Sequence, residues 1–194
     1  MIENILKEKG VIRTGHFLLS SGLHSATYFE KFRILENPDL VTHFCKMIVD
    51  HFQSKNISIV CGPTTGGVII AYEVARQLNI KCIFAETATP PAKGRIIRRG
   101  FTINPQDRIL VVDDILTTGG SVNDTLSALD IYSATVVGIG VFIDRKTSPI
   151  TFTHNNQVLE LFACYEIPVE NYQPENCPLC RLNIPIEKPG SKII

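Results

Sequence analysis

The sequence has no tryptophan, no net charge and no long apolar run in its 194 residues. Its 19 basic and 19 acidic side chains balance, which excludes proteins that need a basic field over their whole surface, such as nucleic-acid coats. The longest apolar stretch, residues 136–143, is far shorter than the roughly 20 residues of a membrane-spanning helix. We therefore expect neither a nucleic acid nor a membrane as a partner.

Two further absences narrow the class. Residues 1–10 mix charged with apolar side chains and lack the apolar core of a secretory signal, so we expect a cytoplasmic protein. The pattern G-x-x-x-x-G-K-[ST] of one phosphate-binding loop and the pattern G-x-G-x-x-G of dinucleotide-binding folds do not occur. Any phosphate site in this chain therefore has a different arrangement of glycines and hydroxyls.

What the sequence does contain is an alternation of strands and helices. Apolar periodicity predicts helices at 2–9, 37–52, 66–78 and 121–131, and strands at 16–19, 26–32, 57–61, 81–85, 108–112, 134–143 and 158–162. This order predicts an α/β fold with a central parallel sheet flanked by helices. At roughly 150 residues per domain, we expect one domain over 1–194, with a small N-terminal hood at 1–36 and a C-terminal tail at 165–194.

Residues 86–100 interrupt this periodicity and predict a long exposed loop. The segment contains two consecutive prolines and gathers four cations, which are Lys93, Arg95, Arg98 and Arg99. Mutual repulsion would keep such a loop open until a polyanion enters, which favours a binding role. The alternative for any single cation in the loop is a solvated surface charge without a binding role.

The strongest motif lies at residues 109–121, ILVVDDILTTGGS. An apolar strand delivers Asp113 and Asp114 to its C-terminal end, the edge of a parallel sheet where ligands bind. A Thr/Gly turn then opens a helix, and turn amides at a helix N-terminus form an anion site. Acids beside a phosphate cradle predict a sugar phosphate, with the carboxylates on its hydroxyls.

A second glycine-rich turn, CGPTTGG at 61–67, also follows a strand and opens a helix. Backbone amides without side-chain bulk can approach a phosphate closely, so Thr64 and Thr65 are candidates for a second phosphate group. Taken alone, a tight turn explains these glycines about as well. Beside the first cradle, the phosphate role is favoured.

The 109–121 motif resembles the hallmark of the type I phosphoribosyltransferases, an apolar strand followed by two acids and a T-T-G-G turn. The resemblance implies 5-phosphoribosyl-1-pyrophosphate as substrate, Mg²⁺ as a cofactor held mainly by that substrate rather than by a protein metal site, and a homodimer. It implies catalytic roles for Asp113, Asp114, Arg98 and Arg99. The residues implied in binding this substrate are Asp113, Asp114, Ile115, Leu116, Thr117, Thr118, Gly119, Gly120, Ser121, Thr64, Thr65 and Lys93.

Residues 14–25 and 28–31 resemble the hood of the orotate-specific branch of this family, and Arg145 after a long strand matches as well. The resemblance implies transfer of the phosphoribosyl group to orotate, giving orotidine 5′-monophosphate and pyrophosphate in pyrimidine synthesis. The residues implied in binding orotate are Ser20, Ser21, Gly22, Tyr28, Phe29, Thr117 and Arg145. A phosphoribosyltransferase for a purine or uracil, and a regulator that binds the substrate without turnover, stay open.

Two positions depart from the family pattern. Thr87 stands where related enzymes tend to carry an arginine, and Thr65 stands where other branches carry a lysine. The sequence therefore leaves open which cation assists the chemistry.

The pair Cys177 and Cys180 has the C-x-x-C spacing of a metal knuckle. A four-cysteine zinc site needs a second such pair, which the sequence lacks, although Cys164 is a candidate third ligand. We favour a structural tail as the interpretation of this segment. Cys45, Cys61, Cys82 and Cys164 lie in apolar segments, where a reduced thiol behaves as a small hydrophobe.

Overall fold

The computed structural model describes residues 2–19, 21–146 and 148–189. The helices in these ranges are α1 (Ile2–Glu8), α2 (Phe32–Leu35), α3 (Pro38–Phe52), α4 (Gly66–Leu78), α5 (Gly120–Leu129) and α6 (Pro178–Arg181). The strands are β1 (Ile12–Leu18), β2 (His24–Phe29), β3 (Ile59–Pro63), β4 (Lys81–Thr87), β5 (Arg95–Ile97), β6 (Arg108–Leu116), β7 (Thr135–Asp144), β8 (Thr153–His154), β9 (Gln157–Val158), β10 (Leu161–Glu166) and β11 (Asn171–Tyr172). Each helix in the described ranges is too short or too polar to traverse a bilayer.

The chain divides into two compact units. The larger unit is residues 37–167, and the smaller unit joins residues 1–36 to residues 168–194. The segments expected as an N-terminal hood and a C-terminal tail therefore belong to the same unit. The expectation of one domain over 1–194 stays a prediction.

The larger unit is built on a sheet with the strand order β10-β7-β6-β3-β4-β5. All neighbouring pairs are parallel except β4 and β5, which pair antiparallel. This confirms the predicted α/β fold with a central, mainly parallel sheet. Because both faces are covered, the central strands are buried along nearly their whole length.

Helices cover both faces of this sheet. On β7, a Cβ added to Gly140 would lie 2.7 Å from the Ile48 side chain of α3, so this face approaches α3 closely. The alternating residues Ile139 and Val141 belong instead to a core that includes Leu126 of α5. Successive strand residues face opposite sides of a sheet, so α3 and α5 lie on opposite faces.

The helix starts follow from local chemistry. Asn37 caps α3, because its side-chain Oδ1 accepts a hydrogen bond from the Leu40 amide at 3.2 Å, and Pro38 occupies the first turn. Helix α4 has the predicted bounds 66–78 and ends at Asn79, which has a left-handed φ of 56°. Both predicted helices are confirmed.

Two sequence predictions in this unit were wrong. Residues 86–100 are not a structureless loop, because β4 continues to Thr87 and β5 folds back on it as an antiparallel hairpin. The last strand of the sheet is Leu161–Glu166 rather than 158–162. Residues 153–158 instead form the small antiparallel pair β8–β9, in which Val158 is exposed.

The smaller unit contains α1 and a three-stranded antiparallel sheet of order β1-β2-β11. Helix α1 ends at Glu8, one residue before the predicted bound, and Gly10 follows with a φ of 69° that suits a helix terminus. The strands were predicted at 16–19 and 26–32, but they begin earlier, at Ile12 and His24. The reason is that burial does not alternate cleanly along them, and β1 has an irregular register between Thr14 and Phe17.

Candidate active site

Two acids lie near the C-terminal end of the central strand β6. The strand runs to Leu116 rather than to 112, so Asp113 and Asp114 lie within it and are only 7% and 6% exposed. Asp113 Oδ1 accepts a hydrogen bond from the Asp114 amide at 2.8 Å, and Asp114 Oδ1 accepts one from the Ile115 amide at 2.7 Å. The main chain therefore fixes the orientation of both carboxylates before any ligand arrives.

The turn after β6 surrounds an open cleft. The cleft has a volume of about 220 Å³ when the space open to solvent is included, and it is lined by Asp113, Ile115, Leu116, Thr117, Thr118, Gly119, Gly120, Ser121 and Val122. Nearly all the residues predicted for the first phosphate cradle thus line one concave site. Gly119 has a φ of 77°, and a Cβ there would lie 2.9 Å from the Phe152 ring, so both conformation and space require glycine.

The cleft is suited to an anion. It lies at the N-terminus of α5, where the first backbone N–H groups of a helix have no partner within the helix. The exposed hydroxyls of Thr117 and Thr118 add further donors. Amides, hydroxyls and the positive end of a helix dipole together favour a phosphate group.

The other glycine-rich turn, within residues 61–67, follows β3 and leads into α4 in the same unit. Its Thr64 amide donates to the Ala85 carbonyl at 3.0 Å, and the Thr64–Thr65 peptide bond is cis. A Cβ on Gly62 would collide with the main-chain carbonyl of Gly67. The glycines here allow two stretches of backbone to touch.

Arg95 connects the two turns. Its guanidinium donates to Thr64 Oγ1 at 3.2 Å and to the Thr64 carbonyl at 3.2 Å, and it also donates to Ser121 Oγ at 3.0 Å. A fourth hydrogen bond reaches the Ala85 carbonyl at 3.1 Å. Arg95 is one of the four cations of the 86–100 segment but was not among the predicted site residues.

The other cations of the hairpin have different partners. Arg99 makes a bidentate pair with Glu86 at 3.0 and 2.7 Å, and the Arg99 guanidinium holds the pKa of that carboxyl below its ordinary value. Arg98 donates to the Thr87 carbonyl at 3.2 Å. Lys93, Arg98 and Arg99 are all exposed. Among the described hydrogen bonds of these four cations, those to the two turns come from Arg95.

Arg145 lies at the same edge of the sheet as the acids. It follows β7, and its backbone amide donates to the Leu116 carbonyl at 3.0 Å. The preceding Asp144 is buried and forms an ion pair with Lys146. The structure thus places Arg145 beside the strand end that carries the predicted phosphate cradle.

Apart from Thr117, which lines the cleft, the remaining residues predicted to bind orotate belong to the smaller unit. Phe29 is buried, whereas Tyr28 is half-buried and its ring lies 5.6 Å from that of Phe17. Phe29 is therefore a core residue of β2. Ser21 and Gly22 are exposed, and Ser20 lies outside the described residues.

The fold and the acidic phosphate cradle indicate one class of protein, and similarity to known proteins identifies the same class. A family model described as the phosphoribosyl transferase domain matches residues 33–154. The chain belongs to the phosphoribosyltransferase family. Within it, an orotate phosphoribosyltransferase from Chlorobium phaeobacteroides (strain BS1) is 37% identical over 191 residues, covering 98% of this chain and 95% of that protein.

Solved structures share the fold. An orotate phosphoribosyltransferase from Aeropyrum pernix matches with a TM-score of 0.70 at 22% identity, covering 86% of this chain and 93% of that one. An adenine phosphoribosyltransferase from Trypanosoma brucei matches with a TM-score of 0.63 at 18% identity, covering 97% and 87%. At these identities the likeness concerns the fold alone, and enzymes named for different bases share it.

Proposed function

We propose that this protein transfers the 5-phosphoribosyl group from 5-phosphoribosyl-1-pyrophosphate to orotate, giving orotidine 5′-monophosphate and pyrophosphate in pyrimidine synthesis. The observation that carries the proposal is the pair of fixed, buried acids Asp113, which lines the open phosphate cleft, and Asp114, which follows it on the same strand. The choice of orotate rests on the relative that matches 98% of the chain under that name.

The two acids and the cleft have complementary tasks. The 5-phosphate accepts hydrogen bonds from the amides and hydroxyls of residues 117–121, and Asp113 and Asp114 accept hydrogen bonds from the ribose hydroxyls. Cleavage of the bond between C1 and the pyrophosphate oxygen gives the ribose oxocarbenium character, which nearby carboxylates stabilise. Thr64 and Thr65 bind the leaving pyrophosphate at the turn after β3.

A Mg²⁺ ion fits this donor set. Mg²⁺ is usually bound by one or two carboxylates together with substrate phosphates, and Asp113 and Asp114 supply carboxylate oxygens beside the proposed phosphate site. We propose that the substrate holds most of the ion and that these two residues complete its coordination. When bound, the ion neutralises negative charge on the leaving pyrophosphate.

Cations on the hairpin assist departure of the leaving group. Arg98, Arg99 and Lys93 are proposed for this role, with Arg95 as a positioning residue that holds the two turns. Single alanine variants of the three exposed cations distinguish them. The acting cation is the one whose loss lowers kcat by a larger factor than it raises KM.

Orotate carries a carboxylate, which suits the planar fork of an arginine. We propose that Arg145 binds this group, and that Ser20, Ser21, Gly22, Tyr28, Phe29 and Thr117 contribute to recognition of the base. Because Phe29 is buried, its contribution is to support the strand rather than to contact the base. Arg145→Lys tests the fork, with a raised KM for orotate and an unchanged KM for 5-phosphoribosyl-1-pyrophosphate expected.

A base screen tests the function directly. The purified chain, Mg²⁺ and 5-phosphoribosyl-1-pyrophosphate are combined with orotate, adenine, guanine or uracil, and pyrophosphate release is measured. Release is expected with orotate only. Turnover of another base without turnover of orotate would instead identify an enzyme for that base. Binding of 5-phosphoribosyl-1-pyrophosphate without any release would identify the regulator.

Two properties remain proposals beside this function. A homodimer follows from the family resemblance, and multi-angle light scattering should then give twice the 21.5 kDa mass of one chain. A cytoplasmic location also stays a prediction, checked by fractionating cells that express the protein at its natural level.

A further inference from the structure

The smaller unit holds a cluster of two histidines and two cysteines, and the two pairs are far apart in sequence. One possible ligand atom from each of His16, His24, Cys177 and Cys180 lies within 4.8 Å of the other three. We call these residues the His₂Cys₂ cluster. We propose that they bind one structural Zn²⁺ ion, a site independent of the transferase chemistry.

Three separations between ligand atoms match the edges of a tetrahedral zinc site. With Zn–N of about 2.0–2.1 Å and Zn–S of about 2.3 Å, the edges of a tetrahedron are about 3.3–3.8 Å. Cys180 Sγ lies 3.3 Å from His24 Nδ1 and 3.8 Å from His16 Nε2, and Cys177 Sγ lies 3.6 Å from His16 Nε2. The two ring nitrogens are closer, at 2.9 Å, so a bound ion separates them slightly.

A carbonyl sets the protonation of one histidine. His16 Nδ1 lies 2.8 Å from the Ile184 carbonyl oxygen, which can only accept a hydrogen bond. Nδ1 therefore carries the proton, and in a neutral ring Nε2 has its lone pair directed into the cluster. A zinc-binding histidine almost always donates its other N–H to such an outer partner.

The cysteines form a compact knuckle. Cys177 precedes the short helix α6, and its carbonyl accepts a hydrogen bond from the Arg181 amide at 3.4 Å. The C-x-x-C spacing of Cys177 and Cys180 is typical of structural zinc sites. Cys164, the third ligand considered from sequence, instead donates to the Phe44 carbonyl in the larger unit.

Burial and charge favour Zn²⁺ at this position. His16, His24 and Cys177 are buried and Cys180 is exposed, so the ion has one accessible side. Binding releases one proton from each thiol, and two thiolates then balance the two charges of Zn²⁺. Two sulfur and two nitrogen ligands complete a tetrahedron without an open position, which is the mark of a structural rather than a catalytic zinc.

The topology gives the ion a structural task. The histidines lie on β1 and β2, whereas the cysteines come about 160 residues later in the chain. The same segments are also joined by the two-residue pairing of β11 with β2, by the bridge from Phe17 to Glu187 and by the ion pair of Arg13 with Glu187. A unit of about sixty residues is in the size range where metals commonly supplement a small core.

Metal analysis of the full chain tests the proposal. The protein is produced without a histidine tag in medium with added zinc, dialysed, and analysed by plasma mass spectrometry. One Zn²⁺ per chain is expected, and Co²⁺ in its place should give the visible and thiolate charge-transfer bands of a tetrahedral S₂N₂ site. Zinc well below one equivalent, iron in its place, or a Cys177–Cys180 disulfide in the intact mass overturns the proposal.

Variants with matched controls locate the site. Cys180→Ser and His24→Asn should each lose most of the zinc. Cys82→Ser and His43→Asn remove the same residue types from the larger unit and should retain it. Full zinc in Cys180→Ser and His24→Asn overturns the assignment.

A thiol titration of the unchanged protein tests the site even where a variant does not fold. A mercurial that titrates thiols should release zinc to an indicator dye in step with two cysteines. The remaining thiols lag, because burial raises the pKa of Cys82 to about 11 and that of Cys164 to about 12, which leaves little reactive thiolate. Thiol titration without zinc release contradicts the site.

Hydrogen exchange is a second measurement on the unchanged protein. After chelation, exchange should accelerate in β1, β2 and 171–187 and stay unchanged in β3 and β6.

Discussion

The turn after β3 and the turn after β6 both lead from a buried parallel strand into a helix, but they use glycine for different purposes. At the first turn, Gly62 and Gly67 bring two backbone segments into contact, so that any Cβ on Gly62 would collide with a carbonyl. At the second, Gly119 takes a left-handed conformation that shapes an open cleft of about 220 Å³ beside Asp113.

This difference separates stability from function within one unit. A substitution of Gly62 at the first turn forces main-chain atoms apart and therefore acts on folding, whereas Thr64 and Thr65 of the same turn keep their proposed role in binding pyrophosphate. A substitution of a polar group that lines the cleft at the second turn acts instead on binding and turnover, although Gly119 itself is required by conformation and space. Arg95 hydrogen-bonds to both turns, so its loss should affect the geometry of the site more than the stability of the fold.

The largest expected effect is on the first turn. Gly62→Ala should destabilise the protein by about 3 kcal/mol, because overpacking against backbone cannot be relieved by a side-chain rotation. Urea unfolding measures the loss. Gly120→Ala is the matched control, since the nearest atom to its new methyl is Thr118 Oγ1 at 3.7 Å, an ordinary contact. Equal stabilities of the two variants would remove the distinction between the turns.

The second turn should show the opposite pattern. Asp114→Asn should lower kcat/KM at least tenfold, about 1.4 kcal/mol, because asparagine lacks the charge that favours the transition state. Its carbonyl oxygen still accepts from the Ile115 amide, so unfolding in urea should change little. Asp50→Asn, an exposed change on α3, serves as the control for activity. Unchanged kinetics in Asp114→Asn would remove this carboxylate from the site.

The link between the turns is tested by Arg95→Lys. One ammonium cannot maintain the four hydrogen bonds that the guanidinium makes to Thr64, Ala85 and Ser121. We expect KM for 5-phosphoribosyl-1-pyrophosphate to rise about tenfold with a smaller change in kcat, the result of misplaced phosphate groups. Arg76→Lys, exposed on α4, should leave both constants unchanged. A fall in kcat alone would make Arg95 a cation that acts on the leaving group.

The helices and strands that depend on local sequence patterns were predictable from the sequence. The alternation of strands and helices in the larger unit, the start of α3 and the bounds of α4 depend on local periodicity and capping, and they were confirmed. The acids and the Thr/Gly turn were recognisable because a strand, two carboxylates and a helix start are contiguous. Their roles as catalytic and binding residues remain predictions.

Contacts between distant segments were not predictable in the same way. The hairpin of β4 and β5 was missed because two prolines and a cation run conceal a three-residue strand, and with it the role of Arg95. The His₂Cys₂ cluster was missed because its histidines precede the C-x-x-C pair by more than 150 residues. A search for histidine pairs anywhere in the chain, rather than for a second cysteine pair, would have revealed it.

The smallest expected effect concerns the helix that follows the first turn. The Arg76 guanidinium donates to Glu73 and holds the pKa of that carboxyl at about 2. A lowered pKa stabilises the fold at pH above the unfolded value, near 4.3, and this contribution is lost as the pH falls towards 2. Since the Arg76 side chain is 56% exposed, Glu73→Gln should cost less than about 1 kcal/mol at pH 7. The difference in urea stability should shrink at pH 3.5, whereas Gly62→Ala should stay equally destabilised at both pH values. A Glu73→Gln loss as large as that of Gly62→Ala would show that charge on α4, and not backbone contact, secures the first turn.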